Sequence, residues 1–145
     1  MTVPTSPLKT RKMKNKDYVT FEQAKALKEL GYDEPCRAFY WTADGEFSEC
    51  DSKVHTNSPN CATMVAAPHV YDAVRWLREV KHWHVEVRIN GTRYMFVVEL
   101  WEMRDNGGYL RLEQNDGHVR LFDDYDTALS AGIDAALELL KGGAQ

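Results

Sequence analysis

The sequence has few of the features that indicate a membrane location or export. None of its apolar runs approaches the roughly 18 residues that a membrane-spanning helix requires, and the N-terminus has no apolar core of a signal peptide. Its three cysteines are an odd number and do not suggest a disulfide framework. We therefore expect a cytoplasmic protein whose thiols stay reduced.

Motifs for the common kinds of catalysis are missing as well. The glycine pairs Gly107-Gly108 and Gly142-Gly143 lack the lysine and the strand–helix context of a phosphate-binding loop. No serine lies in a nucleophile elbow, and no two histidines have the helical spacing of a zinc protease. We therefore predict a non-catalytic protein, with no catalytic residues and no cofactor; an enzyme whose reaction the sequence does not name is the alternative.

Charge divides the chain into two parts. Residues 1–16 contain five basic side chains and no acidic one, whereas residues 17–145 contain the other 13 basic side chains and all 22 acidic ones. We predict a disordered basic leader over 1–16 and a single domain over 17–145, with Met13 as an alternative start. Because this domain is acidic, a protein is favoured over nucleic acid as its main partner.

A β-hairpin is the clearest pattern in the sequence. Apolar and polar side chains alternate from Trp83 to Ile89 and again from Tyr94 to Leu100, as in strands with one face toward a core. Asn90-Gly91 lies between them and favours a type I′ turn, in which both central residues have positive φ. The second face is mixed, and its members are His84, Glu86, Arg88, Arg93, Met95, Val97 and Glu99.

The first residues of three helices are also recognisable. Thr20 and Gln23 form the capping-box pattern of a first helix. Pro68 suits the first turn of a second helix, and Asp124 suits the cap of a third. Gly132 lies in the middle of the third helix, where glycine costs roughly 1 kcal/mol relative to alanine. Its presence there predicts close packing of this helix on the sheet.

The predicted order of elements is helix, irregular region, helix, four strands, helix. Cys36–Trp41 is a short strand candidate, with a turn at Ala43-Asp44-Gly45 and a return at Glu46-Phe47, and the segment of about 42–66 is predicted to be a long irregular loop. After the hairpin, strands are predicted at Tyr109–Leu112 and His118–Phe122. Sequential strands with short connections form an antiparallel meander. We therefore predict an α+β fold in which helices pack on one face of a four-stranded antiparallel meander.

Residues 68–141 resemble the double-stranded-RNA-binding domain in the order helix, strands, helix. The segment Ala128–Leu140 is similar in texture to the last helix of that family. That family grips phosphates with a lysine-rich start to this helix, whereas the matching positions here are Asp123, Asp124 and Asp126, and the sheet has one strand more. The resemblance therefore implies the fold and not RNA binding.

A second resemblance covers residues 13–141. It is to uncharacterised small proteins encoded by gut-anaerobe genomes and by their phages and mobile elements, a family with no assigned activity. The segments that carry it are Tyr18–Tyr32, Ala67-Pro68, Trp76–Glu79 and Tyr125–Ile133. The resemblance implies an accessory protein of a phage or mobile element.

Two groups of side chains have the types that bind metals. One is a zinc set of three cysteines and one histidine, although the Cys-x₂-Cys pair of such sites is missing, and free thiols are the alternative. The other is His84 with Glu86, which share a strand face and which a solvated sheet face explains equally. The residues of the zinc set are Cys36, Cys50, His55 and Cys61.

Large aromatic side chains are numerous for 145 residues and point to an interface. Trp41, Trp76 and Trp101 fall outside the clearest apolar stripes, and exposed tryptophans are enriched where proteins meet. Together with the strand arginines Arg88 and Arg93, they are the predicted partner-binding residues. We expect a protein partner, or self-association through the mixed sheet face.

Nucleic-acid binding is the alternative function. It would use the basic leader and the strand arginines Arg88, Arg93, Arg111 and Arg120, and it would weaken steeply with salt. The leader residues concerned are Lys9, Arg11, Lys12, Lys14 and Lys16.

Overall fold

The computed structural model describes residues 16–49, 57, 62–100, 102–103, 109–110 and 120–142. Contacts within the chain group into two compact units, Met1–Val70 and Tyr71–Gln145, each with helix and antiparallel strand. The α+β class is therefore confirmed, while the single domain over 17–145 stays a prediction. None of the helices in the described part of the chain is long and apolar enough to cross a membrane.

Helix α1 (Phe21–Glu29) has the caps that its sequence predicts. Thr20 Oγ1 accepts from the Gln23 N–H at 3.1 Å, and the Thr20 N–H donates to Gln23 Oε1 at 2.9 Å, which completes the capping box. After the last turn Gly31 adopts φ +103°, where a glycine has no Cβ to clash. Its N–H donates to Lys28 O at 3.0 Å, so the end of the helix is closed as well.

The first unit contains a three-stranded antiparallel sheet with β1 in the centre. The strands are β1 (Ala38–Trp41), β2 (Phe47–Glu49) and β3 (Met64–Ala66), in the spatial order β2-β1-β3. Strands β2 and β3 lie within the segment 42–66, so the prediction of an irregular loop is wrong at 47–49 and 64–66. The return at Glu46-Phe47 that the sequence predicts corresponds to β2, whereas β3 has only three residues, too few to show a period of two.

An asparagine side chain holds the edge of this sheet. Asn57 Nδ2 donates to Tyr32 O at 2.8 Å, and Asn57 Oδ1 accepts from the Ala66 N–H at 2.9 Å. The Asn57 amide thus bonds to a strand N–H that points away from β1. Such side-chain partners satisfy backbone groups that would otherwise be left at an edge.

The second unit contains two helices, the predicted hairpin and a further short pair of strands. Helix α2 comprises Val70–Val80, and its first residue, Val70, is the last residue of the first unit. The hairpin consists of β4 (Trp83–Asn90) and β5 (Arg93–Leu100), which pair antiparallel over their whole length. Strands β6 (Glu102–Met103) and β7 (Tyr109–Leu110) form a separate antiparallel pair, and α3 comprises Tyr125–Lys141.

Helix α3 packs across β4 and β5 at its central glycine. A Cβ atom added to Gly132 would lie 2.7 Å from Val85 Cγ1, closer than real Cβ atoms approach, and 3.1 Å from Phe96 Cβ, which is a tight contact. At the start of the helix, Asp124 Oδ1 accepts from the Thr127 N–H at 3.1 Å. The predicted cap and the predicted close packing are both confirmed.

Candidate functional site

The turn of the hairpin differs by one residue from the prediction. Asn90 and Arg93 face each other, so Gly91 and Thr92 are the central residues of the turn. Of these two, Gly91 alone has positive φ, at +69°. Positive φ at the first central position is the pattern of a type II′ turn, so the type I′ prediction is wrong.

The apolar face of the hairpin is only half covered. Trp83 and Val85 are buried, whereas Ile89 is 73% exposed. The contacts of Gly132 place α3 over the half of the face that contains Val85 and Phe96. Helix α3 therefore covers the hairpin around Val85 and Phe96 and leaves apolar surface at Ile89, near the turn.

The opposite face of the hairpin contains a network of charged side chains. Arg88 Nε lies 3.3 Å from Glu86 Oε2, and Arg88 Nη2 lies 3.8 Å from Glu99 Oε2. His84 Nε2 lies 3.8 Å from Glu86 Oε1. The predicted pair of His84 and Glu86 is thus brought together, within a set that also has a guanidinium and a second carboxylate.

Glu99 is the member of this network that the sequence does not single out. It is only 8% exposed, and it is directly opposite His84 in the strand register. A buried carboxylate is costly unless cations or hydrogen-bond donors lie close to it, and Arg88 is such a cation. The sequence pattern does not single out Glu99, because only the strand register shows that Glu99 is the neighbour of His84.

Apolar and aromatic side chains gather at the far end of the hairpin, beside the first turn of α3. Tyr94 and Tyr125 meet edge to face, with ring centroids 6.0 Å apart, and Tyr125 is exposed. Arg93 Nε lies 3.2 Å from Asp123 Oδ1 at the margin. We call this surface the hairpin end: Ile89, Tyr94 and Tyr125 form its apolar part, and Arg88 and Arg93 flank it from the opposite face of the strands.

The three tryptophans predicted to bind a partner have different environments. Trp76 is only 4% exposed, so its prediction as a surface residue is wrong. Trp41 is 41% exposed, and its Nε1 donates to Ser48 Oγ at 3.2 Å. Trp101 lies outside the described residues. Of the three, only Trp41 is described as a surface side chain.

The basic residues predicted to contact nucleic acid are only partly described. Lys16 is exposed, but Arg88 and Arg93 each have a carboxylate within 3.3 Å. Arg120 lies with its guanidinium 5.1 Å from the centre of the Phe122 ring. Such neighbours compete with phosphate for the arginines. Outside the described residues lie Lys9, Arg11, Lys12, Lys14 and Arg111.

The described residues do not bring the predicted metal ligands together. Cys36 is buried, and its Sγ lies 3.5 Å from Glu34 O. The other members of the zinc set, Cys50, His55 and Cys61, lie outside the described residues. Within the described part of the chain, no three His, Cys, Asp or Glu side chains converge as metal ligands do.

Two tyrosines of the first unit are held as protonated hydrogen-bond donors. Burial, together with a 2.7 Å hydrogen bond from Tyr18 Oη to Glu49 Oε2, raises the pKa of Tyr18 to about 12. Burial also raises the pKa of Tyr40, whose Oη donates to Val19 O at 2.6 Å. Both phenols tie the sheet to the segment before α1 and act as structural groups.

Comparison with known proteins does not place the chain in a family. No protein-family model, no curated protein and no solved structure matches it.

Proposed function

We propose that this chain is a non-catalytic accessory protein of a phage or mobile element, and that it binds another protein through the hairpin end. The observation that carries the proposal is the 73% exposure of Ile89, on the apolar face of a regular strand. An aliphatic side chain this exposed is stabilised when a partner covers it.

The surroundings of Ile89 have the composition of an interface. Tyr94 and Tyr125 supply aromatic surface, and aromatic and arginine side chains are enriched where proteins bind each other. Arg88 and Arg93 lie at the margin with their acidic neighbours, which suits a polar rim. Apolar centre and charged rim together favour a protein over a phosphate backbone as the partner.

We also propose that the predicted third and fourth strands extend the antiparallel sheet of the second unit. The third is supported by β7, which pairs with β6. The fourth is supported by Phe122, whose backbone pairs with Tyr94 on the free side of β5 through hydrogen bonds of 2.9 and 2.8 Å. In a meander the fourth strand would pair with the third, so the contact of Phe122 with β5 favours a different strand order.

Affinity capture from the native host tests the proposed function. Tagged wild-type protein is crosslinked in the host, purified and compared with Ile89→Arg, which puts a charge in the centre of the hairpin end. We expect a stoichiometric partner with the wild type and a loss of at least tenfold with the variant. Val80→Arg is the matched control, because Val80 is also an exposed aliphatic side chain of the second unit but lies on α2. Equal capture by wild type and Ile89→Arg would contradict the proposal.

A further inference from the structure

Strand β4 has an edge that pairs with no other strand in the described part of the chain. The backbone of Tyr94 exchanges both of its hydrogen bonds with Phe122, on the side of β5 away from β4. Tyr94 is directly opposite Ile89, so the N–H and C=O of Ile89 point away from β5. Because this direction alternates along a strand, the backbone groups of Val85 and Val87 point outward too. We call these groups the outer edge.

The outer edge has neither the proline nor the bulge that protects many natural sheet edges, and the charged side chains Glu86 and Arg88 of β4 have opposite signs. β4 has eight residues, no proline and a continuous register with β5, so no bulge interrupts it. A regular edge of this length is a template for another strand. Access is greatest at Ile89 and Val87, since α3 covers the side chain of Val85 on the apolar face.

We propose that a second copy of this chain pairs with the outer edge, so that two β4 strands run antiparallel about a two-fold axis at Val87. The proposal rests on the proposed function, because it names the protein that the hairpin end binds. Val87 then faces Val87 of the second copy, and Ile89 faces Val85. An isologous pair of this kind is the commonest arrangement of protein dimers.

Charge selects this register among the alternatives. With Val87 on the axis, Glu86 is opposite Arg88 of the second copy, and Arg88 is opposite Glu86. Both are non-hydrogen-bonded pairs of the antiparallel ladder between the two copies. Side chains approach each other most closely at such pairs. Two neighbouring registers also pair the outward N–H and C=O groups of the two β4 strands. One places Glu86 opposite Glu86 of the second copy, and the other places Arg88 opposite Arg88. Like charges directly opposite each other are destabilising, so both registers are disfavoured.

A charge-swap experiment tests both the dimer and its register. Light scattering coupled to size exclusion is measured on wild type, Glu86→Arg, Arg88→Glu and an equimolar mixture of the two variants. We expect twice the 16.6 kDa chain mass for the wild type, the single chain mass for each variant, and the doubled mass for the mixture. Only the mixture restores Glu–Arg opposition, and a variant that had merely lost its fold would not be rescued.

Val87→Pro provides a second test that leaves the charges alone. The N–H of Val87 points outward, so proline removes a bond across the outer edge without removing one to β5. We expect a chain of single mass with an unchanged far-UV circular dichroism spectrum. A doubled mass for this variant would overturn the proposal, as would a mixture of the folded charge variants that stays at the single mass.

The dimer and the proposed function fail in different ways. The two can be separated with a photoreactive amino acid placed at position 89. If the wild-type chain has the single mass but position 89 still crosslinks to a different protein, the dimer alone is overturned. A wild-type chain of single mass that crosslinks nothing from residue 89 overturns both.

Discussion

Gly132 of α3 is so close to Val85 of β4 that a methyl group on the glycine would lie 2.7 Å from Val85 Cγ1. Alanine gains up to about 1 kcal/mol of helix propensity over glycine, but the added Cβ also meets Phe96 Cβ at 3.1 Å, which is attached to the strand backbone. Overpacking of this kind costs about 1–3 kcal/mol.

We therefore predict that Gly132→Ala lowers the free energy of unfolding by up to about 2 kcal/mol, which is the overpacking cost less the propensity gain. Urea denaturation followed by circular dichroism measures the change. Gly142→Ala is the control on the same helix, because its Cβ would be 3.5 Å from the nearest atom. Equal stability of Gly132→Ala and wild type would mean that the helix sits further from the strands.

Thr20→Ala should destabilise the protein by about 1 kcal/mol, since it removes the hydroxyl that accepts from the Gln23 N–H. Thr20→Ser keeps an oxygen at the same place and should stay within a few tenths of the wild type. Chemical denaturation of the three proteins checks this. If serine costs as much as alanine, the methyl group of Thr20 matters and the capping bond does not.

Arg88→Ala should cost about 1–3 kcal/mol, because Glu99 would keep its buried position without the guanidinium 3.8 Å away. The half-exposed Arg88 side chain favours the lower end of this range. In a double-mutant cycle with Glu99→Gln, the second substitution should cost less once Arg88 is gone.

The control for this cycle is Arg78→Ala, which removes an exposed ion pair of α2 with Glu79. Pairs of that kind contribute about 0–1 kcal/mol, so its effect should be small. Additive effects of Arg88→Ala and Glu99→Gln would show that the two side chains do not interact.

Titration of Tyr18 should show a phenol with a pKa of about 12, against an ordinary value of 10.0. The folded state holds this proton more tightly than the unfolded state, so its stabilising contribution is fully present below pH 10 and is lost as the pH rises toward 12. Absorbance of the phenolate or NMR of labelled tyrosine measures the pKa.

Glu49→Gln should lower the pKa of Tyr18 while leaving it above 10.0, because burial is the largest cause of the shift and the Glu49 carboxylate the next. Tyr40 serves as the internal control, since burial alone raises its pKa. An unchanged Tyr18 pKa in Glu49→Gln would rule out the 2.7 Å hydrogen bond as a contributor.

The alternation of residues 83–100 predicts the hairpin and both of its faces, because side chains of a strand point to opposite sides with a period of two. The sequence predicts the turn one residue too early, at Asn90-Gly91. Each residue of β4 is therefore predicted opposite a β5 residue that lies two positions before its actual partner. A change of two preserves the faces, but it separates His84 from Glu99. The faces were therefore predictable, and the charged network was not.

Helix α2 shows a different limit of the sequence pattern. Its spacing predicts an apolar stripe of Val70, Ala73, Val74 and Leu77, which Val80 extends, with Trp76 beside it. Val80 is 49% exposed in the structure, so the buried stripe ends before it. In the structure Trp76 is buried as well, so the buried face spans about 160° at 100° per residue. The spacing of apolar residues predicts the centre of the buried face of a helix. The width of that face depends on which elements pack against the helix, and the spacing carries no information about them.

The most direct test of the central claim is photo-crosslinking from single positions of the second unit. A photoreactive amino acid at position 89 is compared in the native host with the same amino acid at position 80, where Val80 is 49% exposed on α2. The account predicts a discrete protein adduct from position 89 and none from position 80. No adduct at position 89, or equal adducts at both positions, would contradict the claim that the hairpin end binds a protein.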